Sequence, residues 1–295
     1  MKKIILIALI LILAALPLTI AACSRVSQSD MLTNPYVTEG SEVFTYKMFH
    51  NDDEVGTMKL TFRKVADAAI TLPDPTAESK VKIFSSFSGT HLTMTYALNG
   101  VFNDDSGSSE VLYDNAYAPL YSYKKETTSG KVRELVVRYD AKYAYTYRYE
   151  DGIIADHAEI KVKNTTHFDN EMIYAVVRAS GISQASYTLS FASPNALTST
   201  LETISISKVG DAKATIDDLV STGTPEDEKA IPCYTFRLSI SNSYASPYAI
   251  SVAKEPLTIE NENIHVSNVK KAILRIDEGE YHYVLKKIEV TEAAE

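Results

Sequence analysis

The chain has 295 residues, with 29 Lys and Arg against 38 Asp and Glu and a formal charge of −9. An acidic balance of that size argues against nucleic acid and against electrostatic adhesion to an anionic lipid surface. Two cysteines exclude a disulfide framework, and 19 Tyr, 9 Phe and no Trp, with few Gly or Pro, point to a strand-rich body rather than a disordered or fibrous one.

The first 23 residues read as an address. Lys2 and Lys3 precede an apolar run from Ile4 to Leu16, and small residues lead to Cys23. That is the layout of a secretory signal peptide over residues 1–22. The segment Ile20-Ala21-Ala22-Cys23 resembles a bacterial lipobox. In the lipoproteins it resembles, the cysteine thiol takes a diacylglyceryl group, the peptide is cut before that cysteine, and acyl chains such as palmitate hold the protein to the membrane. The resemblance assigns this lipidation to Cys23. The alternatives are an uncleaved membrane anchor, since Ile4 to Ala22 nearly matches a bilayer, and an ordinary cleaved signal. Cys23 falls where the apolar run gives way to the polar stretch Ser24–Asp30, which favours the lipoprotein. At about 0.8 kcal/mol per buried methylene, two or more acyl chains anchor stably where one does not.

Cleavage before Cys23 removes Lys2, Lys3 and no acid, leaving 273 residues with a formal charge of −11. With Cys23 lipidated, Cys233 stands alone, so no internal disulfide is expected. Its setting, Ile231 to Phe236, is an apolar strand-like run in which a small buried thiol is the expected reading.

Residues 23–41 are polar and aperiodic and read as a flexible tether. The β-rich domain is expected over 42–290, as one body or as two sub-lobes meeting near 164–182. Glu42–Phe49 and Thr57–Arg63 alternate strictly and flank Asn51–Glu54, which predicts a hairpin. Ala66–Ser79, with Pro73 and Pro75, reads as a loop. Val81–Phe102 reads as two strands around Gly89-Thr90, and Asn103–Ser109 as a turn or flexible loop. Strands follow at Val111–Tyr113, Leu120–Tyr123, Val132–Tyr139, Tyr143–Tyr149 and Ile153–Val162, and Asp151-Gly152 between alternating runs signals a hairpin.

Phe168–Gly181 breaks the pattern. Asp169 or Asn170 can cap a helix of about ten residues, and its apolar positions 172, 173, 176 and 177 share one face. Strands resume at Tyr187–Phe191, Leu201–Val209, Cys233–Ile240, Tyr248–Ala253, Ala272–Ile276 and Tyr281–Val290, with an acidic loop at Asp217–Lys229. The fold class is therefore mainly β: a curved antiparallel sheet or half-open barrel with one short helix.

The order of certain features carries a second resemblance. They are Val55-Gly56-Thr57, Tyr117-Ala118-Pro119-Leu120, the helix with Asp169 and Val177-Arg178, the block Thr224–Ile240 and the ending Tyr281–Ile288. Together they resemble a family of exported bacterial proteins of unknown function whose fold is similar to the half-barrel of the LolA/LolB lipoprotein carriers. The resemblance implies a sheet curved around a helix with an apolar concave side, which in those carriers accepts acyl chains.

Chemistry-bearing motifs are sparse. His50, His91, His157, His167, His265 and His282 show no metal-ligand spacing. There is no nucleophile elbow, P-loop or dinucleotide fingerprint. Asn103–Gly107 faintly suggests a calcium loop but lacks the later acidic positions. No catalytic residue, metal or cofactor is assigned, and the chain is expected to be non-enzymatic. The candidate ligand-binding residues are Tyr143, Tyr145, Tyr147 and Tyr149, which alternation places on one amphipathic face: a groove wall, or a face packed on its neighbours with hydroxyls at the rim. The expected partners are a membrane, reached through the N-terminal lipid, and a lipid or amphipathic ligand, with no nucleic acid. The alternative is an envelope structural or protein-interaction lipoprotein without a cavity. An importer's solute receptor is disfavoured because its regular α/β alternation is missing.

Overall fold

A computed structural model describes residues 40–99, 105–162, 166–179, 188–195, 199–215, 230–241, 248–261 and 264–291. The signal peptide, Cys23, the tether up to residue 39 and the acidic loop 217–229 lie outside these residues, and Ser41, expected in the tether, opens the first strand. The chain is mainly β, as expected, with one short helix and a fourteen-stranded antiparallel sheet that is nearly closed into a barrel.

The first eight strands form a continuous meander: β1 (Ser41–His50), β2 (Asp53–Pro73), β3 (Val81–Leu98), β4 (Ser106–Asp114), β5 (Pro119–Thr128), β6 (Lys131–Tyr139), β7 (Tyr143–Glu150) and β8 (Ile153–Lys161). A 3-10 turn, Asn170–Met172, leads into helix α1 (Ile173–Ala179). Then come β9 (Thr188–Asn195), β10 (Thr200–Thr215), β11 (Ala230–Ile240), β12 (Tyr248–Ala253), β13 (Leu257–Asn261), β14 (Ile264–Val269), β15 (Ile273–Glu278) and β16 (Tyr281–Thr291). The order in the sheet is β8-β7-β6-β5-β4-β3-β2-β1-β16-β15-β12-β11-β10-β9, and β13 and β14 pair as a separate ribbon. The first and last strands are neighbours, with Ser41 opposite Thr291 and His50 opposite Tyr281.

Alternation decides which face is inside. On β1, Phe44, Tyr46 and Met48 are buried, and on β2, Met58, Leu60 and Phe62. These join Val111, Tyr113, Phe236, Ile250, Ile276 and every residue of α1 except Arg178 in one interior core. The intervening Lys59 faces water, so the outer side of these strands is polar, the reverse of a lipid-facing barrel.

Two segments differ from what their sequence predicts. Ala66–Pro73 is not a loop but the distal half of β2, and Val81–Leu98 is one strand rather than two. The alternation is broken because register shifts occur between Val65 and Ala68 and between Ala68 and Ile70, and Asp67 takes a positive φ of 47°. Beyond these bulges the hairpin lies over the outside of the meander. Val65, Ile70, Leu72 and Phe87 pack on Leu112, Tyr121, Tyr123 and Val136 in a second core. The Tyr121 hydroxyl donates to the Pro73 carbonyl (2.6 Å), and Arg138 pairs with the buried Asp74 (2.7 Å).

The barrel's seam lies between β8 and β9. The chain at 166–168 fills part of it: the Phe168 amide donates to the Ala192 carbonyl (3.0 Å), and the Ala192 amide to that of Thr166 (2.9 Å). Across the gap, Leu201 of β10 packs on Val137, Ala144, Ile160 and Val162.

Candidate functional site

The tyrosine row is where the sequence places it on the strand, but it is on the outer face. Ala144 and Thr146 point inward and are buried, and Arg148 lines the interior. Tyr147 faces the outer core, with the Arg138 guanidinium 5.4 Å from its ring centre and His157 stacked at 6.5 Å. Tyr143 and Tyr145 tilt together at 6.1 Å, and the Tyr145 hydroxyl donates to Asp140 (3.2 Å). The register slips between Arg148 and Tyr149, and Tyr149 is buried. None of the four lines either of the interior cavities described next.

Two cavities of the barrel interior are lined by described residues. The larger, about 720 Å3, is lined by Tyr96 of β3, Tyr174 of α1, Tyr248 of β12 and Tyr281 and Tyr283 of β16, with Met58, Met94 and Ile173. The smaller, about 340 Å3, is lined by Leu135, Val137 and Arg148 of β6 and β7 and by Ser193 and Pro194 of β9. Both cavities include Glu126, Asn170, Glu171 and Ile240 in their walls, so they adjoin beside the entrance to α1. Those volumes are in the range of small-molecule sites.

The helix fills the rest of the interior because it is tied down at both ends. Asp169, 2% exposed, caps the 3-10 turn by accepting from the Glu171 amide (3.0 Å). It also accepts from the Ser122 hydroxyl (2.7 Å) and the Tyr139 hydroxyl (2.6 Å). Lys124 stands 3.4 Å from Asp169 and 3.3 Å from Glu171. Burial opposes the Asp169 charge, but Lys124 and the donated hydrogen bonds outweigh it and hold its carboxyl below the usual range. At the other end, Arg178 is fully buried and pairs with Glu42 at 2.8 Å.

The larger cavity has a polar wall as well. The Tyr248 hydroxyl donates to that of Tyr174 (3.0 Å), and Tyr283 reaches Glu278 at 3.5 Å. Tyr96 lies over β4 at Gly107, where a Cβ would fall 2.3 Å from its ring, so only glycine leaves the ring room. Burial, then Glu126, Asp105, Glu171 and Glu278, push the Tyr96 hydroxyl up to about 12. Glu278 is exposed as a residue at the rim, yet partial desolvation and the Glu171 carboxylate raise its pKa. In the smaller cavity, the buried Nε of Arg148 and the Oγ of Ser193 have no hydrogen-bond partner among the described residues.

Among the described residues no three His, Cys, Asp or Glu side chains are grouped to hold a metal ion. Cys233 is a buried free thiol whose pKa burial raises, in keeping with a small core residue. Compared with known proteins, the chain matches no family model, no curated protein and no solved structure.

Proposed function

We propose that this is an exported lipoprotein, held to a bacterial membrane through lipidated Cys23, whose β body binds a hydrophobic or amphipathic ligand such as a lipid or a lipoprotein's acyl chains. It performs no chemistry on that ligand. The observation that carries the reading is the pair of adjoining cavities, about 720 and 340 Å3, inside a nearly closed barrel. A carrier needs such a space, and a structural β protein fills it. The resemblance to the LolA/LolB carriers points the same way. The walls are mixed rather than apolar, which favours an amphipathic ligand over a plain hydrocarbon.

A specific observation favours the envelope-interaction reading instead. β8 ends the sheet, and Ile153 and Ile154 at its start are 72% and 52% exposed. An edge that pairs with no further strand among the described residues, and that carries exposed β-branched residues, is suited to pairing with another chain.

The two readings separate on what the protein carries. The chain from Ser24 onward, purified from cells and extracted with chloroform and methanol, is expected to release a lipid or amphiphile in stoichiometric amount. A consistently empty protein favours the interaction reading. The anchor has its own test by membrane fractionation. Cys23→Ser is expected to release the protein or block its processing, and an unchanged membrane fraction of normally processed chain would refute it.

A further inference from the structure

We propose that the larger cavity selects an organic cation: a ligand with an ammonium group on an apolar body, seated among Tyr96, Tyr174, Tyr248, Tyr281 and Tyr283 with Glu278 as its counter-charge. This rests on the reading that the barrel interior binds a ligand, and it specifies the ligand's charge.

Glu126, Glu171, Glu278 and Glu280 all line this cavity, and among the described residues no Lys or Arg does. The smaller cavity differs: its acids stand beside Lys124, Arg133 and Arg148. Two of the four carboxylates in the larger cavity already have a basic side chain beside them. Glu171 is 3.3 Å from Lys124, and Glu280 is 3.1 Å from His50. Glu278 is met by a tyrosine hydroxyl at 3.5 Å instead.

The wall of the larger cavity is also aromatic. Tyrosine rings attract an ammonium through their electron-rich faces, while neighbouring carboxylates supply the charge. An anionic headgroup would meet the same carboxylates as like charges inside a partly desolvated space. Met58, Met94 and Ile173 leave an apolar surface for the body of the ligand. The raised pKa values of Glu278 and Tyr96 agree with a negative potential that a bound cation would relieve.

Isothermal titration in about 150 mM salt, which screens the acidic outer surface, tests the inference on the chain from Ser24 onward. The probes share a ten-carbon tail and are used below their micelle concentrations: decyltrimethylammonium, decanoate and decyl maltoside. Decyltrimethylammonium is expected to bind at least about tenfold more tightly than decanoate. Glu278→Gln is expected to weaken the cation alone by about fivefold or more, and Tyr283→Ala is expected to weaken it as well. Decanoate or the maltoside binding as tightly as the cation would overturn the charge assignment and leave the ligand cavity standing. Cation binding unchanged in both variants would place it on the outer surface and overturn the proposal. No binding of any probe would overturn the proposal together with the reading on which it rests.

Discussion

Arg178→Ala is expected to cost about 4–5 kcal/mol of folding stability, the largest loss of any single substitution considered. The side chain is fully buried near the end of α1. Its guanidinium lies 2.8 Å from Glu42 and packs against the rings of Phe44 and Phe62, 4.9 and 4.7 Å from their centres. It also donates to the carbonyls of Lys271 (3.1 Å) and Lys270 (2.8 Å). One residue thus joins the helix to β1, β2 and the turn before β15. Truncation removes the Arg178 charge from beside the buried Glu42 carboxylate and opens a cavity beside two aromatic rings. The desolvation cost also predicts a rescue: Arg178→Met with Glu42→Leu should recover much of the loss, because two apolar groups remove both charges. Urea midpoints at unchanged m-value read both effects. A single-mutant loss below about 1 kcal/mol would mean that the pair does not hold the helix.

Asp169→Ala should be nearly as damaging, at about 3–4 kcal/mol. It removes the cap of the 3-10 turn, strands the Tyr139 and Ser122 hydroxyls, and leaves the Lys124 ammonium with Glu171 but without its nearly buried partner. The same carboxylate gives stability a pH dependence with a definite sign. Its folded pKa is depressed, so the unfolded chain binds its proton first as pH falls. Its contribution is therefore complete above the unfolded value of about 3.9 and is lost as pH falls through the folded value. The wild-type protein should lose this stability below about pH 4. Asp169→Asn, already weakened at neutral pH, should show a shallower acid limb. Parallel acid limbs in the two proteins would contradict the assignment.

Much of the fold was legible because most strands alternate and the turns carry their usual residues. The hairpin of β1 and β2, the series β6 to β8, and the helix capped by Asp169 all follow from local pattern. The failures have local causes too. Ser106–Ser109, read as part of a loop, begins β4, since weak strand formers are held by partners on both sides: Met94–Ala97 of β3 and Lys124–Thr127 of β5. The ribbon of β13 and β14 was not anticipated at all. The site was less legible than the fold. Alternation groups Tyr143, Tyr145 and Tyr147 on one face but says nothing about which face the barrel encloses. The tyrosines that line the larger cavity come from β3, α1, β12 and β16, so no window of sequence contains more than two of them. Tyr281 and Tyr283 stood out as part of the chain's ending, and their role depends on β16 lying beside β1.

The central claim is that the interior is a ligand cavity, and native mass spectrometry of two proteins prepared in parallel tests it most directly. One is the chain from Ser24 onward, and the other is the same chain with Met94→Trp, which fills the larger cavity from the β3 wall. The unaltered chain should carry a non-covalent adduct that leaves on denaturation, and the filled variant, equally folded by circular dichroism, should lack it. An unaltered chain without an adduct, or the same adduct on both proteins, would contradict the account.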